Sequence, residues 1–197
     1  MNITAQTTQP ENKSILVGKV ISDTYPLSIN NERAFLTTIL DSENKIEIRF
    51  TTYPSFDNKS TIVLSFNKNW TAKFYYFERN NPKVLSREIN ENIKLDSVFS
   101  RLVANNIFSL PDQSKLTLEK CFYDPATNEI SSSKMVVGDG SSYVIDFKIG
   151  KLVRRYSFSN PESYTNYFPL IHELKCYTNI VNIFNELTFG NRKKENK

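Results

Sequence analysis

The segment YVIDFKIGKLVRRYSF, residues 143–158, is the clearest indication of the fold. Apolar side chains recur at every second position from Tyr143 to Ile149, which is the period of a strand with one buried face. Gly150-Lys151 then supplies a tight turn into a second strand, Leu152–Phe158. We therefore expect a β-hairpin here and antiparallel pairing in the sheet to which it belongs.

The same two-residue period occurs upstream of the hairpin. Ile46, Ile48 and Phe50 alternate with charged residues, and short polar turns separate further apolar segments. The other predicted strands are Ala34–Leu40, Lys45–Thr52, Thr61–Phe66, Trp70–Arg79, Pro82–Ile89 and Lys115–Tyr123. Residues Asp124–Ser133 are predicted to form a loop.

Two segments change to a helical period. Apolar residues recur at helical spacing over residues 95–108, with Asp96 as the expected N-cap. Residues 160–189 predict a C-terminal helix that begins at Asn160 and is kinked at Pro169. Helices do not alternate with single strands, so the order predicts an α+β fold. We expect an antiparallel sheet of about five or more strands, packed by one central helix and a kinked C-terminal helix.

Composition narrows the class of protein. The 197 residues are 39% hydrophobic, 13% aromatic and 23% charged, which excludes a disordered, collagen-like or coiled-coil chain. No apolar run reaches the roughly 18 residues that a membrane-spanning helix needs. We expect a disordered lead-in over residues 1–14, a single α+β domain over 15–190, and a basic disordered tail over 191–197.

The basic excess is concentrated at the C-terminus. The net charge is +4, and the last seven residues hold Arg192, Lys193, Lys194 and Lys197 against Glu195. The rest of the chain is therefore close to neutral, which predicts no nucleic-acid binding by the folded surface. The tail is either a solubilising terminus or a contact for an anionic partner.

The predicted strand Trp70–Arg79 carries aromatic residues on both faces. Trp70 and Phe74 share one face, and Tyr75, Phe77 and Arg79 share the other. Either both faces are covered by other parts of the chain, or one is exposed for recognition, because Trp, Tyr and Arg are enriched at binding hot spots. Trp70, Tyr75, Phe77 and Arg79 are therefore candidate residues for binding a ligand or partner.

Arg154 and Arg155 form a second candidate site. Successive side chains of a strand point to opposite faces, so one of the two guanidinium groups enters the layer that should be buried. Such a group needs a carboxylate partner or binds an anion. A structural ion pair and an anion or acidic-partner site are the two alternatives.

Patterns that indicate catalysis, a cofactor or a metal ion are weak. His172 is the only histidine and lies one helical turn before Cys176. A Cys–His pair is conceivable there, but we favour a solvent-facing histidine beside a buried cysteine. No glycine-rich phosphate loop occurs, so we expect no cofactor, and no ligand spacing predicts a metal ion.

The two cysteines leave the redox state open. Cys121 and Cys176 could form one disulfide in an oxidising compartment, or they could be two separate thiols.

A carboxylate-based hydrolase would need two acidic side chains that converge in one cleft. Strand positions offer several candidates, for which surface salt bridges are the alternative role: Glu47, Glu78, Glu88, Glu119 and Asp146.

Residues 138–164 combine an Asp-Gly turn, an aromatic-rich hairpin, an Arg-x-Tyr strand end at Arg154-Arg155-Tyr156, Asn160-Pro161 and a Tyr-rich helix. This sequence pattern resembles that of uncharacterised secreted or lipoprotein-type proteins of the Bacteroidetes. The resemblance implies an extracytoplasmic location, periplasmic or secreted, and no particular activity. Ile3-Thr4-Ala5-Gln6 also has the form of a signal-peptide cleavage junction, although no cysteine is present nearby for a lipid anchor. A cytoplasmic protein is the alternative.

Taken together, these patterns predict a non-catalytic extracytoplasmic binding module for a protein or a small ligand. A carboxylate-based hydrolase is one alternative. The other is a carrier that holds an apolar ligand in a cavity between the sheet and the helices.

Overall fold

Six antiparallel strands form the main sheet, and a separate two-stranded ribbon extends from the same α+β fold. The computed structural model describes residues 36, 38–55, 58–77, 84–89 and 93–189. The predicted lead-in 1–14, the candidate residue Arg79 and the basic tail 191–197 lie outside the described residues.

Every neighbouring pair of strands in both sheets is antiparallel, as the hairpin pattern predicts. The main sheet has the order β4-β3-β2-β1-β7-β8, and β5 pairs with β6 in the ribbon. The strands are β1 (Ile46–Pro54), β2 (Lys59–Phe66), β3 (Trp70–Phe77), β4 (Val84–Glu88), β5 (Glu119–Asp124), β6 (Glu129–Lys134), β7 (Ser141–Ile149) and β8 (Leu152–Ser159).

Within the described residues, three α-helices accompany the sheet: α1 (Leu95–Ala104), α2 (Pro161–Tyr167) and α3 (His172–Phe189). The predicted C-terminal helix is therefore two helices, because the chain leaves the helical path around Pro169. The prediction that Asp96 is the N-cap of α1 is wrong, since Lys94 is the N-cap and Asp96 lies in the first turn. None of the helices in the described ranges combines the length and apolar character needed to cross a membrane.

Asn160 precedes α2 as expected, but its side chain has another role. The residue has a left-handed backbone with φ of 44°, and it makes no capping hydrogen bond to α2. Its Oδ1 instead accepts a hydrogen bond of 3.0 Å from the backbone N–H of Ser141. The side chain thus fastens the end of β8 to the start of β7.

The hydrophobic core lies between one face of the sheet, which we call the helix face, and the helices α1 and α3. Side chains from the neighbouring strands β1 and β7 reach almost complete burial there, among them Ile48, Phe50, Ile145 and Phe147. Phe184 of α3 stacks on Phe50 with 4.3 Å between ring centroids. Burial of such aromatic and aliphatic groups is the main stabilising contribution to this fold.

The opposite face of the sheet, which we call the polar face, is also partly covered. A short 3₁₀ helix, Ile39–Asp41, contacts β7, and Lys148 donates hydrogen bonds to the carbonyl oxygens of Leu40 and Ser42. The predicted strand Ala34–Leu40 is therefore wrong in its described part. Tight local turns satisfy this backbone instead, with Asp41 N–H donating to the Thr38 carbonyl.

The ribbon corrects a second prediction. The segment Asp124–Ser133 is not all loop, because Glu129–Lys134 pairs along its length with β5. Strand β6 has the sequence EISSSK, whose serines and charges give little strand propensity. Asn128, with φ of 57°, provides the left-handed residue that lets the chain reverse into it.

Candidate functional site

The structure divides the candidate binding residues between the two faces of the sheet. Trp70 and Arg154 lie on the helix face, and Tyr75, Phe77 and Arg155 lie on the polar face. Strands β3 and β8 are separated by β2, β1 and β7, a distance of about 19 Å. The aromatic strand and the arginine pair therefore cannot form a single small-ligand site.

Trp70 borders a cleft with a volume of about 880 Å³. The cleft opens at the end of the sheet, between the β2–β3 turn and the first turn of α1. Trp70 is the first residue of β3, directly after the turn Asn67–Asn69, so strand pairing places its ring at this opening. Volumes of 300–1,000 Å³ are usual for small-molecule sites.

The Trp70 ring is held by other aromatic rings and is only half-buried. Its centroid lies 5.0 Å from that of Phe66 and 4.6 Å from that of Phe99 of α1. No described residue accepts a hydrogen bond from its indole N–H. The cleft thus offers a fixed aromatic surface with one donor that a ligand could use.

Charged side chains surround this aromatic surface. Lys68 and Lys94 are exposed at the cleft and form no ion pair with any described carboxylate. Glu88 lies 3.2 Å from Lys73, which offsets its charge, so Asp96 is the remaining acidic group among the described lining residues. The described residues that line the cleft therefore carry a slightly positive balance of charge.

Sequence reasoning identified Trp70 but missed Lys68, Lys94 and Phe99. The turn Asn67–Asn69 could have indicated Lys68, because a residue in the turn before Trp70 must lie at the same end of the sheet. The contribution of α1 could not be predicted, since it depends on how the helix docks.

Tyr75 and Phe77 are half-buried on the polar face and contact lysines. The Nζ atom of Lys73 lies 5.8 Å from the Tyr75 ring centroid, and that of Lys59 lies 5.4 Å from the Phe77 ring centroid. The hollow between Phe77, Arg49 and Thr61 measures only about 20 Å³, which is room for about one water molecule. This hollow could not take a larger ligand.

Arg154 and Arg155 each have protein partners. Arg154 donates hydrogen bonds to the carbonyl oxygens of Phe108 (3.0 Å) and Leu110 (2.6 Å), and Arg155 forms a two-point ion pair with Asp146. The expected ion pair is therefore present at Arg155. The arginine on the helix face binds carbonyl groups instead of the carboxylate that the sequence suggested.

The strand-borne acids do not converge in a cleft within the described residues. Each has a basic partner: Arg49 for Glu47, Lys73 for Glu88, Lys134 for Glu119 and Arg155 for Asp146. Glu78 lies outside the described residues. The arrangement corresponds to the salt-bridge alternative that the sequence left open.

The space between the sheet and α3 is filled by stacked rings. Phe158 and Tyr177 stack with 4.5 Å between centroids, and Tyr177 donates a hydrogen bond of 2.6 Å to the Pro111 carbonyl. This packing supports neither a large internal cavity nor the apolar-ligand carrier that requires one.

The two cysteines are not joined. Cys121 is exposed on β5, and Cys176 is buried on α3. The Sγ atom of Cys176 lies 3.3 Å from Nε2 of His172, which is exposed. Burial raises the pKa of the Cys176 thiol, against the effect of a hydrogen bond from Asn106, so the neutral thiol is favoured over a nucleophilic thiolate.

Within the ranges that the structure describes, no group of three or more His, Cys, Asp and Glu side chains is placed to hold a metal ion. Comparisons with models of protein families, with curated proteins and with solved structures gave no match for this chain.

Proposed function

We propose that the protein is a non-catalytic binding module whose ligand site is the Trp70 cleft. The ligand is a small organic anion with a flat apolar part. The observation that carries this proposal is the half-buried Trp70 ring in a cleft of about 880 Å³, with the two exposed ammonium groups of Lys68 and Lys94 beside it.

The binding mode follows from the chemistry of these groups. A flat ring stacks on the open part of the Trp70 ring, which is worth about 0.5–1.5 kcal/mol beyond the area that it buries. Lys68 and Lys94 attract the anionic group, and the indole N–H donates to an acceptor on the ligand. No step makes or breaks a covalent bond.

Trp70 is the only tryptophan in the chain, so the tryptophan fluorescence originates at the cleft. We would titrate the protein with 8-anilinonaphthalene-1-sulfonate, an anionic probe, and with N-phenyl-1-naphthylamine, which has the same rings and no charge. The proposal predicts saturable energy transfer from Trp70 to the anionic probe, and weaker binding of the neutral probe.

Variants separate the cleft from other surfaces. The double variant Lys68→Gln/Lys94→Gln should lower the affinity for the anionic probe about fivefold to tenfold, because exposed charges contribute up to about 1 kcal/mol each. The affinity for the neutral probe should not change. Lys115→Gln removes an exposed lysine that does not line the cleft and serves as the matched control. The proposal would be overturned if Lys115→Gln lowered the affinity for the anionic probe as much as the double variant does. It would also be overturned if binding of the anionic probe did not saturate at millimolar concentration.

We also propose that the protein acts outside the cytoplasm, which rests on the N-terminal Ala5-Gln6 junction and the resemblance described above. Expression in a Gram-negative host from the native gene, followed by separation of periplasm and cytoplasm, tests this. Recovery in the cytoplasmic fraction alone would contradict it.

A further inference from the structure

The two-stranded ribbon carries most of the exposed apolar side chains in the described part of the chain. Seven large apolar side chains are exposed there, and four of them lie on the ribbon or within two residues of its end: Phe122, Tyr123, Ile130 and Val136. Tyr123 is 60% exposed and Ile130 is 77% exposed. A two-stranded hairpin is only marginally stable in water, so the ribbon gains stability when a partner covers these side chains.

The two faces of the ribbon have different surroundings. Residues directly opposite each other in the two strands share a face. One face, which we call the outer face, holds Glu119 with Lys134, Cys121 with Ser132, and Tyr123 with Ile130. The other face contacts α2, because Nζ of Lys120 lies 3.9 Å from the Tyr167 ring centroid and Oγ of Ser133 lies 3.1 Å from the Tyr167 hydroxyl oxygen. The outer face therefore points away from α2.

The outer face is complementary to a second copy of itself. A two-fold axis that runs along the ribbon, between two facing copies, places β5 of one copy over β6 of the other. Each outer-face residue then faces the second copy of the residue with which it pairs inside its own ribbon. Tyr123 therefore faces Ile130 of the second copy, and the two-fold axis repeats this apolar contact.

The same axis brings opposite charges together. Nζ of Lys134 lies 2.9 Å from a carboxylate oxygen of Glu119 within one ribbon. Across the axis, Glu119 faces Lys134 of the second copy and Lys134 faces its Glu119. The four charges alternate in sign around the contact, and like charges occupy the diagonals, where they are farthest apart.

We propose that the protein forms a symmetric dimer through the outer faces of two ribbons. Tyr123 and Ile130 supply the apolar contact, and Glu119 and Lys134 fix how the two ribbons are aligned. The Trp70 cleft is not part of this contact, since none of the residues that line it belongs to the ribbon.

The size of the outer face determines the strength of the dimer. Each copy contributes six residues to this face, whereas stable interfaces use about 20–30 residues on each side. We therefore expect a weak, reversible dimer that forms at high micromolar protein concentration and dissociates on dilution.

Sedimentation equilibrium of the full-length protein, from micromolar to millimolar concentration, measures the dissociation constant of the dimer. Tyr123→Ser/Ile130→Ser should raise this constant by at least about tenfold, because the apolar contact is lost twice in each dimer. Phe122→Ser is the matched control, since it removes an exposed apolar side chain from the opposite face of the same ribbon. It should leave the dissociation constant unchanged.

Charge variants test the alignment of the two ribbons. Glu119→Lys gives the outer face two adjacent positive charges and Lys134→Glu gives it two negative charges, so each single variant should repel its own copy and remain monomeric. An equimolar mixture of the two single variants should form a heterodimer, because every charge then faces an opposite one. The double variant Glu119→Lys/Lys134→Glu keeps the pair within the ribbon and should dimerise like the parent protein.

Three results would overturn the proposal. The parent protein could remain monomeric at millimolar concentration, which would leave the outer face to a different partner. The mixture of the two single charge variants could remain monomeric, which would contradict the alignment. Phe122→Ser could weaken the dimer as much as the outer-face variant does, which would contradict the choice of face.

Discussion

Arg154 and Arg155 are neighbours in the chain, yet their guanidinium groups lie on opposite faces of the sheet and bind different kinds of partner. Arg154 reaches the helix face and holds the carbonyl oxygens of Phe108 and Leu110. Arg155 reaches the polar face and pairs with Asp146. One arginine thus anchors the loop after α1, and the other links two strands.

The loop after α1 depends on side chains from β8 and α3. Besides the two bonds from Arg154, Tyr156 donates to the Ile107 carbonyl at 2.9 Å and Tyr177 donates to the Pro111 carbonyl. We expect Arg154→Met to lower the free energy of unfolding by about 2 kcal/mol, because it leaves two carbonyl groups without a donor. Urea unfolding followed by circular dichroism measures this.

Arg154→Lys provides the matched control for that substitution. Its single ammonium group cannot present two donors in a fork to both carbonyl groups, so it should recover only part of the lost stability. Full recovery by lysine would show that the positive charge matters and that the forked geometry does not.

Arg155→Met should also destabilise the protein, by about 2–3 kcal/mol, for a different reason. Asp146 is 5% exposed, and the substitution removes the guanidinium group that pairs with its buried carboxylate. In the double variant Arg155→Met/Asp146→Asn the loss should be smaller than the sum of the two single losses. A double-mutant cycle from urea unfolding gives the coupling, and an additive result would contradict the ion pair.

Glu47 gives the protein a predictable sensitivity to acid. Burial by itself would raise the pKa of Glu47, but hydrogen bonds from Ser42 and Asn44 and the positive charge of Arg49 outweigh it and hold the pKa below its ordinary value of 4.5. A carboxyl whose pKa is lowered by folding contributes stability above pH 4.5, and this contribution is lost as the pH falls through the lowered value.

We therefore expect Glu47→Gln to cost about 1–2 kcal/mol at pH 7, and the difference from the parent protein to shrink as the pH falls toward 3. Urea unfolding at a series of pH values measures both quantities. Glu43→Gln is the matched control, since Glu43 is exposed and forms no salt bridge within the described residues. A difference that stays constant with pH would contradict the assignment.

The sequence predicted the strands whose own pattern of apolar and polar residues indicates a strand. Alternation of apolar and polar residues is clear over most of β1 and β7, so the period of two was sufficient to predict strands there, whereas β8 was predicted from the turn that precedes it. The period of two failed at β6, where serines and charges are paired into a strand by the neighbouring β5, and no local pattern reveals that. Asn128 was the one available signal of a reversal, but the Asp124-Pro125 pair before it favoured a loop.

The candidate site was harder to predict, because it depends on docking. The alternation in β3 correctly separated Trp70 from Tyr75 and Phe77, but which face stays open depends on where α1 and the 3₁₀ helix Ile39–Asp41 pack. The partner of Arg154 was missed for a similar reason. Backbone carbonyl groups carry no residue-specific signal, so a loop that offers them cannot be recognised from sequence.

Strand β8 lies at the edge of the sheet, and two side chains accept hydrogen bonds from backbone N–H groups on its outer side. Asp112 accepts a hydrogen bond of 2.8 Å from the Ser157 N–H, and Gln113 accepts one of 2.6 Å from the Ser159 N–H. These acceptors replace a neighbouring strand and block the pairing with other chains that an open edge invites.

We expect the double variant Asp112→Ala/Gln113→Ala to expose this edge. Hydrogen exchange of the Ser157 and Ser159 amides should accelerate, because both lose their acceptors, and stability should fall by about 1–3 kcal/mol. Gln113→Glu keeps an acceptor oxygen at the same position, so the Ser159 amide should stay protected in that control. Light scattering should also show more self-association of the double variant, because the edge is open to pairing with other chains. Amide protection that survives in the double variant would mean that these side chains do not shield the edge.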